Sequence, residues 1–182
     1  MTKIKIGTTQ QPVRFSYANV HEPVSVKGGE PKYSVSIIIP KSHTATIQKI
    51  QAAIKETIEE QKDRFGGKVP SNVKSPLRDG DTDRPDDPAY ENSYFINASD
   101  KMKPGIVGPD REDLMNPSEF YSGCYGRASL NFYVYNVNGN KGVSAGLQNL
   151  MKTEDGEPLG GRVSAEKDFA DDEDESIHDV LG

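Results

Sequence analysis

The sequence predicts a mainly β protein, a small antiparallel barrel with one main α-helix and long loop insertions. Three observations predict it. Apolar and polar residues alternate in several separate stretches, one stretch alone repeats at helical spacing, and glycines fall where strands must bend or end.

Residues 12–20 form the first expected strand, with Val13, Phe15 and Tyr17 on one side and Arg14 and Ser16 on the other. Gly28 and Gly29 break the chain. Residues 32–39 follow as a second strand with Tyr33, Val35, Ile37 and Ile39 on its apolar face, ended by Pro40. Residues 44–64 read as the helix, because Ile47, Ile50, Ile54 and Ile58 share one side; Gly66 and Gly67 stop it. Residues 65–90, rich in Gly, Pro and Asp, read as a long surface excursion. A strand is expected at 92–99, a short segment at 105–108 and a connection over 110–119.

Residues 123–135 carry the clearest pattern. Cys124, Gly126, Ala128, Leu130, Phe132 and Val134 occupy even positions, and Tyr125, Arg127, Ser129, Asn131, Tyr133 and Tyr135 odd ones. Unbroken alternation predicts one long strand with a packed even face. Asn138-Gly139 supplies a hairpin turn, and residues 141–151 return, with bends or bulges expected at Gly142 and Gly146. Strands grouped on either side of a helix fit an OB-fold-like barrel; a sandwich with a peripheral helix fits the same pattern.

Composition narrows the function classes. Only 34% of residues are hydrophobic, so part of the chain is expected to stay unburied. The net charge is −6, yet residues 166–182 hold eight acids and one base, which leaves 20 acids and 21 bases in residues 1–165. The expectation is one domain over 1–165 and a disordered acidic tail over 166–182, with Asp171, Asp172, Glu173, Asp174 and Glu175 at its centre. A single cysteine and no long apolar run fit a soluble protein of a reducing cytoplasm, with no membrane partner.

Enzyme motifs are absent from the sequence. The three histidines are scattered, and neither a phosphate-binding loop nor a nucleophile elbow occurs. Asp79-Gly80-Asp81-Thr82-Asp83 has some calcium-loop character, but Arg84 stands where that loop requires glycine and Tyr90 where it requires glutamate. No cofactor and no metal are expected. The odd face of residues 123–135 suggests binding instead, since rings stack on unpaired bases and cations track phosphates. Tyr94, Lys101 and Lys103 are expected to extend that surface.

The stretches YSVSIIIP, YFINASDKMKPGIVGPD, EFYSGCYGRASLNFYVYN and KGVSAGLQNLMKTEDGEPLGG, with the acidic tail, resemble phage-encoded single-stranded-DNA-binding proteins with an OB-fold core. The resemblance implies a protein that coats single strands in phage replication, recombination or repair. It would act in the host cytoplasm and recruit replication or recombination proteins through the tail. DNA contacts are expected at Tyr94, Lys101, Lys103, Tyr125, Arg127, Tyr133 and Tyr135. Ending in Val180-Leu181-Gly182, the chain departs from relatives of this type that end in an aromatic residue. Two other readings stay open: an acidic interaction protein or DNA mimic that binds a basic partner, and an RNA binder. Oligomeric state, a homo-oligomer included, is not fixed by the sequence.

Overall fold

The computed structural model describes residues 2–159. In chain order its regular elements are β1 (Thr2–Ile6), β2 (Val13–Val24), β3 (Lys32–Pro40), α1 (Thr44–Glu60), β4 (Arg78–Asp79), α2 (Gly80–Asp83), β5 (Ser93–Asp100), β6 (Gly105–Val107), β7 (Tyr125–Val137) and β8 (Asn140–Glu154). The predicted acidic tail lies outside the described residues.

Pairings of β2 with β3, β3 with β5, β5 with β8, β8 with β7 and β7 with β2 close a circuit of five strands. An odd circuit cannot be antiparallel throughout, because directions that alternate around five strands leave two neighbours pointing the same way. Here that pair is β5 with β8, joined in parallel at Ala98–Ala145 and Ser99–Gly146. The barrel is thus OB-like, with a short parallel seam where the sequence suggested antiparallel pairing alone.

Strand β1 was missed by the sequence reading. Thr2, Ile4 and Ile6 point inward while Lys3 and Lys5 are exposed, a five-residue alternation at the start of the chain. It pairs with β7 from Phe132 back to Ala128, while β2 takes only Gly126 and Tyr125 on that same edge. Beyond β1 the edge is finished by the helix end. Val134 N–H donates to Gln61 Oε1 at 2.9 Å and the Asn136 side-chain Nδ2 to the Arg64 carbonyl at 3.0 Å, which ties this stretch of strand to the helix end.

The interior is filled by alternate residues of every barrel strand. Phe15, Ile37, Ile39, Ile96, Leu130, Phe132, Val134 and Leu147 are fully or almost fully buried. Burial of each such side chain stabilises the fold by about 1.5–3 kcal/mol. The helix covers this core with Ile47, Ile50 and Ile54, the expected face; regular α-helix stops at Glu60 and a 3₁₀ turn continues to Phe65.

Three expectations change in detail. Register shifts in β8 fall around Gln148 and Thr153, whereas Gly142 and Gly146 stay in register opposite Tyr135 and Asn131. Gly142 has another cause: a Cβ there would stand 2.6 Å from the Tyr135 hydroxyl and 2.8 Å from the Lys74 carbonyl. The 65–90 excursion is not structureless. It holds β4, α2 and the fully buried Tyr90, whose hydroxyl donates to Ser36 Oγ at 2.7 Å and whose ring meets Phe95 edge-on at 5.0 Å. Ile38, Phe95 and Tyr90 form a second small core. Because Ile37, Ile39 and Ile96 face the barrel, alternation puts this core on its outer side.

Candidate nucleic-acid interface

Strand β7 behaves as its alternation predicts, with even positions buried from Gly126 to Val134 and odd positions half-buried and facing outward. Its flanking strands complete an outer face of three strands. Lys3 lies opposite Asn131 and Lys5 opposite Ser129 on β1, while Ser144 lies opposite Tyr133 and Asn149 opposite Ser129 on β8.

Two depressions mark this face. A cleft of about 860 Å³ is lined by Asn131 and Tyr133 of β7, by Gly146 of β8 and by residues from the helix end and the turn after β5. Lys32, Arg64 and Lys101 bring positive charge to it, and Glu60, Asp63 and Asp100 bring negative charge. A smaller depression of about 340 Å³ holds Lys5, Arg111 and Arg127 beside Ser129 and Asn149, with no acid in its lining. Arg127 Nε donates to the Gly7 carbonyl at 2.9 Å, which fixes the guanidinium's direction. Asn131 and Ser129 are successive outward positions, about 7 Å apart at strand rise. A cleft that carries Tyr133 and a mixture of cations and acids therefore adjoins a hollow whose charged lining is all basic. Chemically, such an arrangement can hold a stacked ring beside an anionic group.

Not every predicted residue joins them. Tyr125 stands at the far end of β7, about 27 Å from Tyr133 at strand rise. Its partner is Arg14, whose guanidinium lies 5.2 Å from the ring and is anchored on the Gly123 and Glu157 carbonyls at 3.1 and 2.8 Å. Tyr135 fills the space left by Gly142 against the Lys74 backbone and lines neither depression. Tyr94 is half-buried against the main core with the Lys41 amine 5.2 Å from its ring, apart from the β7 tyrosines. Lys103 is exposed and outside both depressions. Lys101 reaches the cleft but pairs with Glu30 at 2.9 Å. Of the expected residues, only Arg127 and Tyr133 of β7, with Lys101, line the two depressions.

The acidic loop has a structural use. Lys41 pairs with Asp79 at 3.0 Å and Asp81 at 2.8 Å, and Arg78 with Asp83 at 2.9 Å. The hydrogen bond from Lys41, then that from the Asn92 N–H, holds the Asp81 carboxyl below its ordinary range. Among the described residues no cluster of metal-ligating side chains occurs, and no helix is long and apolar enough to cross a membrane. Cys124 is buried in the core, and burial pushes its thiol up.

Sequence reasoning missed Lys3, Lys5 and Arg111. The first two were legible in the Lys-Ile-Lys-Ile alternation of residues 3–6; Arg111 sits in a connection whose position no local pattern gives.

Comparison with known proteins gives a consistent picture. A family model described as the single-stranded-DNA-binding protein of Enterobacter phage Enc34 matches residues 2–180. Protein p50 of Acyrthosiphon pisum secondary endosymbiont phage 1 is 34% identical, the match covering 93% of each chain. The solved structure of the Enc34 protein in complex with single-stranded DNA superposes with a TM-score of 0.75 at 31% identity, over 87% of this chain and 90% of that one. The single-stranded-DNA-binding protein gp2.5 of bacteriophage T7 shares the fold, with a TM-score of 0.59 at 14% identity over 93% of each chain. The family is one of binding proteins, not enzymes. From the match along its length, the chain belongs to the Enc34-type family of phage single-stranded-DNA-binding proteins.

Proposed function

We propose that this chain binds single-stranded DNA along the outer face of β1, β7 and β8, with little sequence preference. The observation that carries the site is the adjacency of the Tyr133 cleft and the basic hollow of Lys5, Arg111 and Arg127. Bases stack on Tyr133 while Lys5, Arg111 and Arg127 contact phosphates. Membership in the family and the Enc34 complex support the ligand. Tyr125 with Arg14 offers a further contact at the far end of β7, and Lys101 and Lys103 one beyond the cleft. Stacking and phosphate contacts are sequence-tolerant, so the protein suits coating of single strands in phage replication, recombination or repair within the host cytoplasm.

Residues 166–182 have the charge to compete with DNA for the basic hollow and to bind basic surfaces of replication or recombination proteins. Tail competition predicts that removing these residues raises DNA affinity, most at low salt.

The test is a titration of fluorescent oligonucleotides, single-stranded and as a duplex of the same sequence. Much tighter binding to the single strand is expected, because stacked duplex bases offer no free faces to Tyr133. Equal affinity for the two forms contradicts the proposal.

A further inference from the structure

Tyr17 is the one exposed aromatic side chain among the described residues, at 55% exposure. It also adopts a backbone conformation that a bulky residue rarely holds, with φ at +47°. The position is a register break of β2, between the pairs Ser16–Ser36 and Asn19–Ser34, so the break lifts Tyr17 out of the alternation that the sequence suggested. A strained, exposed ring on a barrel surface asks for a reason, and nothing in the core supplies one.

Behind the ring lies Arg84. Its guanidinium carbon is 5.1 Å from the centroid of Tyr17, 4.9 Å from that of Tyr90 and 5.0 Å from that of Phe95. Its Nε is buried without a hydrogen-bond partner. One face of Tyr17 is therefore backed by a cation that is itself held by two buried rings. The exposed remainder borders a pocket of about 320 Å³ that includes Asn19, Asp87 and Ser122. The Asp87 carboxylate keeps phosphate out of this pocket, whereas the donor edge of a neutral base suits it. Room, ring and acceptor together describe a site for an unpaired base.

We propose that Tyr17, backed by Arg84, is a nucleobase-stacking residue, and that the pocket beside it receives the edge of that base. The proposal rests on the reading of the chain as a single-strand binder and adds a contact on β2, apart from the β1–β7–β8 face. The 65–90 excursion then has a role: it carries Arg84 and Tyr90 to the outer side of the barrel and stiffens an otherwise unsupported ring.

The experiment titrates fluorescent single-stranded oligonucleotides into the full chain and its Tyr17→Phe, Tyr17→Gly and Tyr17→Asn variants at two salt concentrations, with thermal melting of each. Tyr17→Phe is expected to bind like the parent. Tyr17→Gly and Tyr17→Asn are expected to lose affinity by on the order of tenfold. Both tolerate the left-handed backbone, so their melting temperatures are expected to hold or rise. The loss is the same at both salts, since stacking releases no counterions. Parent-like binding by the Gly and Asn variants overturns the proposal, as does a loss shared by Tyr17→Phe or a lower melting temperature in both variants. If the unaltered chain fails to bind single strands at all, it is the broader reading that falls.

Discussion

Tyr133 concentrates the chemistry at the residue scale. It is half-buried, so its ring is held by the sheet, and it faces a cleft lined by Lys32, Arg64 and Lys101 together with Glu60, Asp63 and Asp100. Replacing it with alanine removes one stacking platform worth about 1–3 kcal/mol, so oligonucleotide titration should show a loss of roughly five- to hundredfold. Tyr133→Phe should bind nearly as the parent does, because the ring rather than the hydroxyl carries the contact. Cys124 gives an independent check on the inner face. Buried and with its thiol pushed up, it should resist a thiol reagent at pH 8 in the folded protein and react once denaturant is added. At this scale the sequence was informative where alternation was long. The inward and outward roles of residues 124–135 followed from period-two patterning alone. Tyr17 did not follow, since a register break reverses the side that a regular strand would assign it. Tyr94 was equally illegible in its surroundings: its ring packs against the core and beside Lys41.

Among the elements, β1 and the 65–90 excursion differ most from what local patterns offer. The alternation of Lys and Ile over residues 3–6 was there to be read, but only the free edge of β7 shows that it becomes a strand. Once paired, they place Lys3 and Lys5 beside Asn131 and Ser129. Lys5→Ala should reduce the slope of log affinity against log salt by about 0.7, the value of one phosphate contact on a single strand, and Lys3→Ala with Lys5→Ala by up to about twice that. The excursion reads as loop because Asp, Gly and Pro dominate it, and only the pairing of Lys41 with Asp79 and Asp81 reveals how it is tied down. The folded Asp81 carboxyl is held below its unfolded value of 3.8, chiefly by the Lys41 hydrogen bond. The stability it contributes is therefore complete above that unfolded value and lost as pH falls through the lower folded one. Melting curves from pH 6 to pH 2 should show a gap between the parent and Asp81→Asn that narrows across this acid range. A constant gap would mean that the pairing is not what anchors the excursion.

For the molecule as a whole, the barrel separates two tasks. Its interior, from Phe15 to Leu147, supplies stability, and its outer strands present Tyr133, Lys5 and Arg127 to solvent-facing depressions. The circuit of five strands and its parallel seam could not be read from the sequence, because closure depends on contacts such as Ala98–Ala145 between segments far apart in the chain. The order of strands and helix could be, since each carries its own periodicity. Gly142 joins the two scales, as it lets Tyr135 lie flat where β8 meets the Lys74 backbone. Gly142→Ala should lower stability by about 1–3 kcal/mol in denaturant unfolding while leaving the Arg127-to-Tyr133 face in place. The most direct test of that face is photo-crosslinking of the full chain to single-stranded oligonucleotides carrying 5-iodouracil, with adducts located by mass spectrometry. Adducts are expected on Tyr133, within the tryptic peptide of residues 128–141. Efficient crosslinking with every adduct elsewhere and none on β7 would contradict the proposed site.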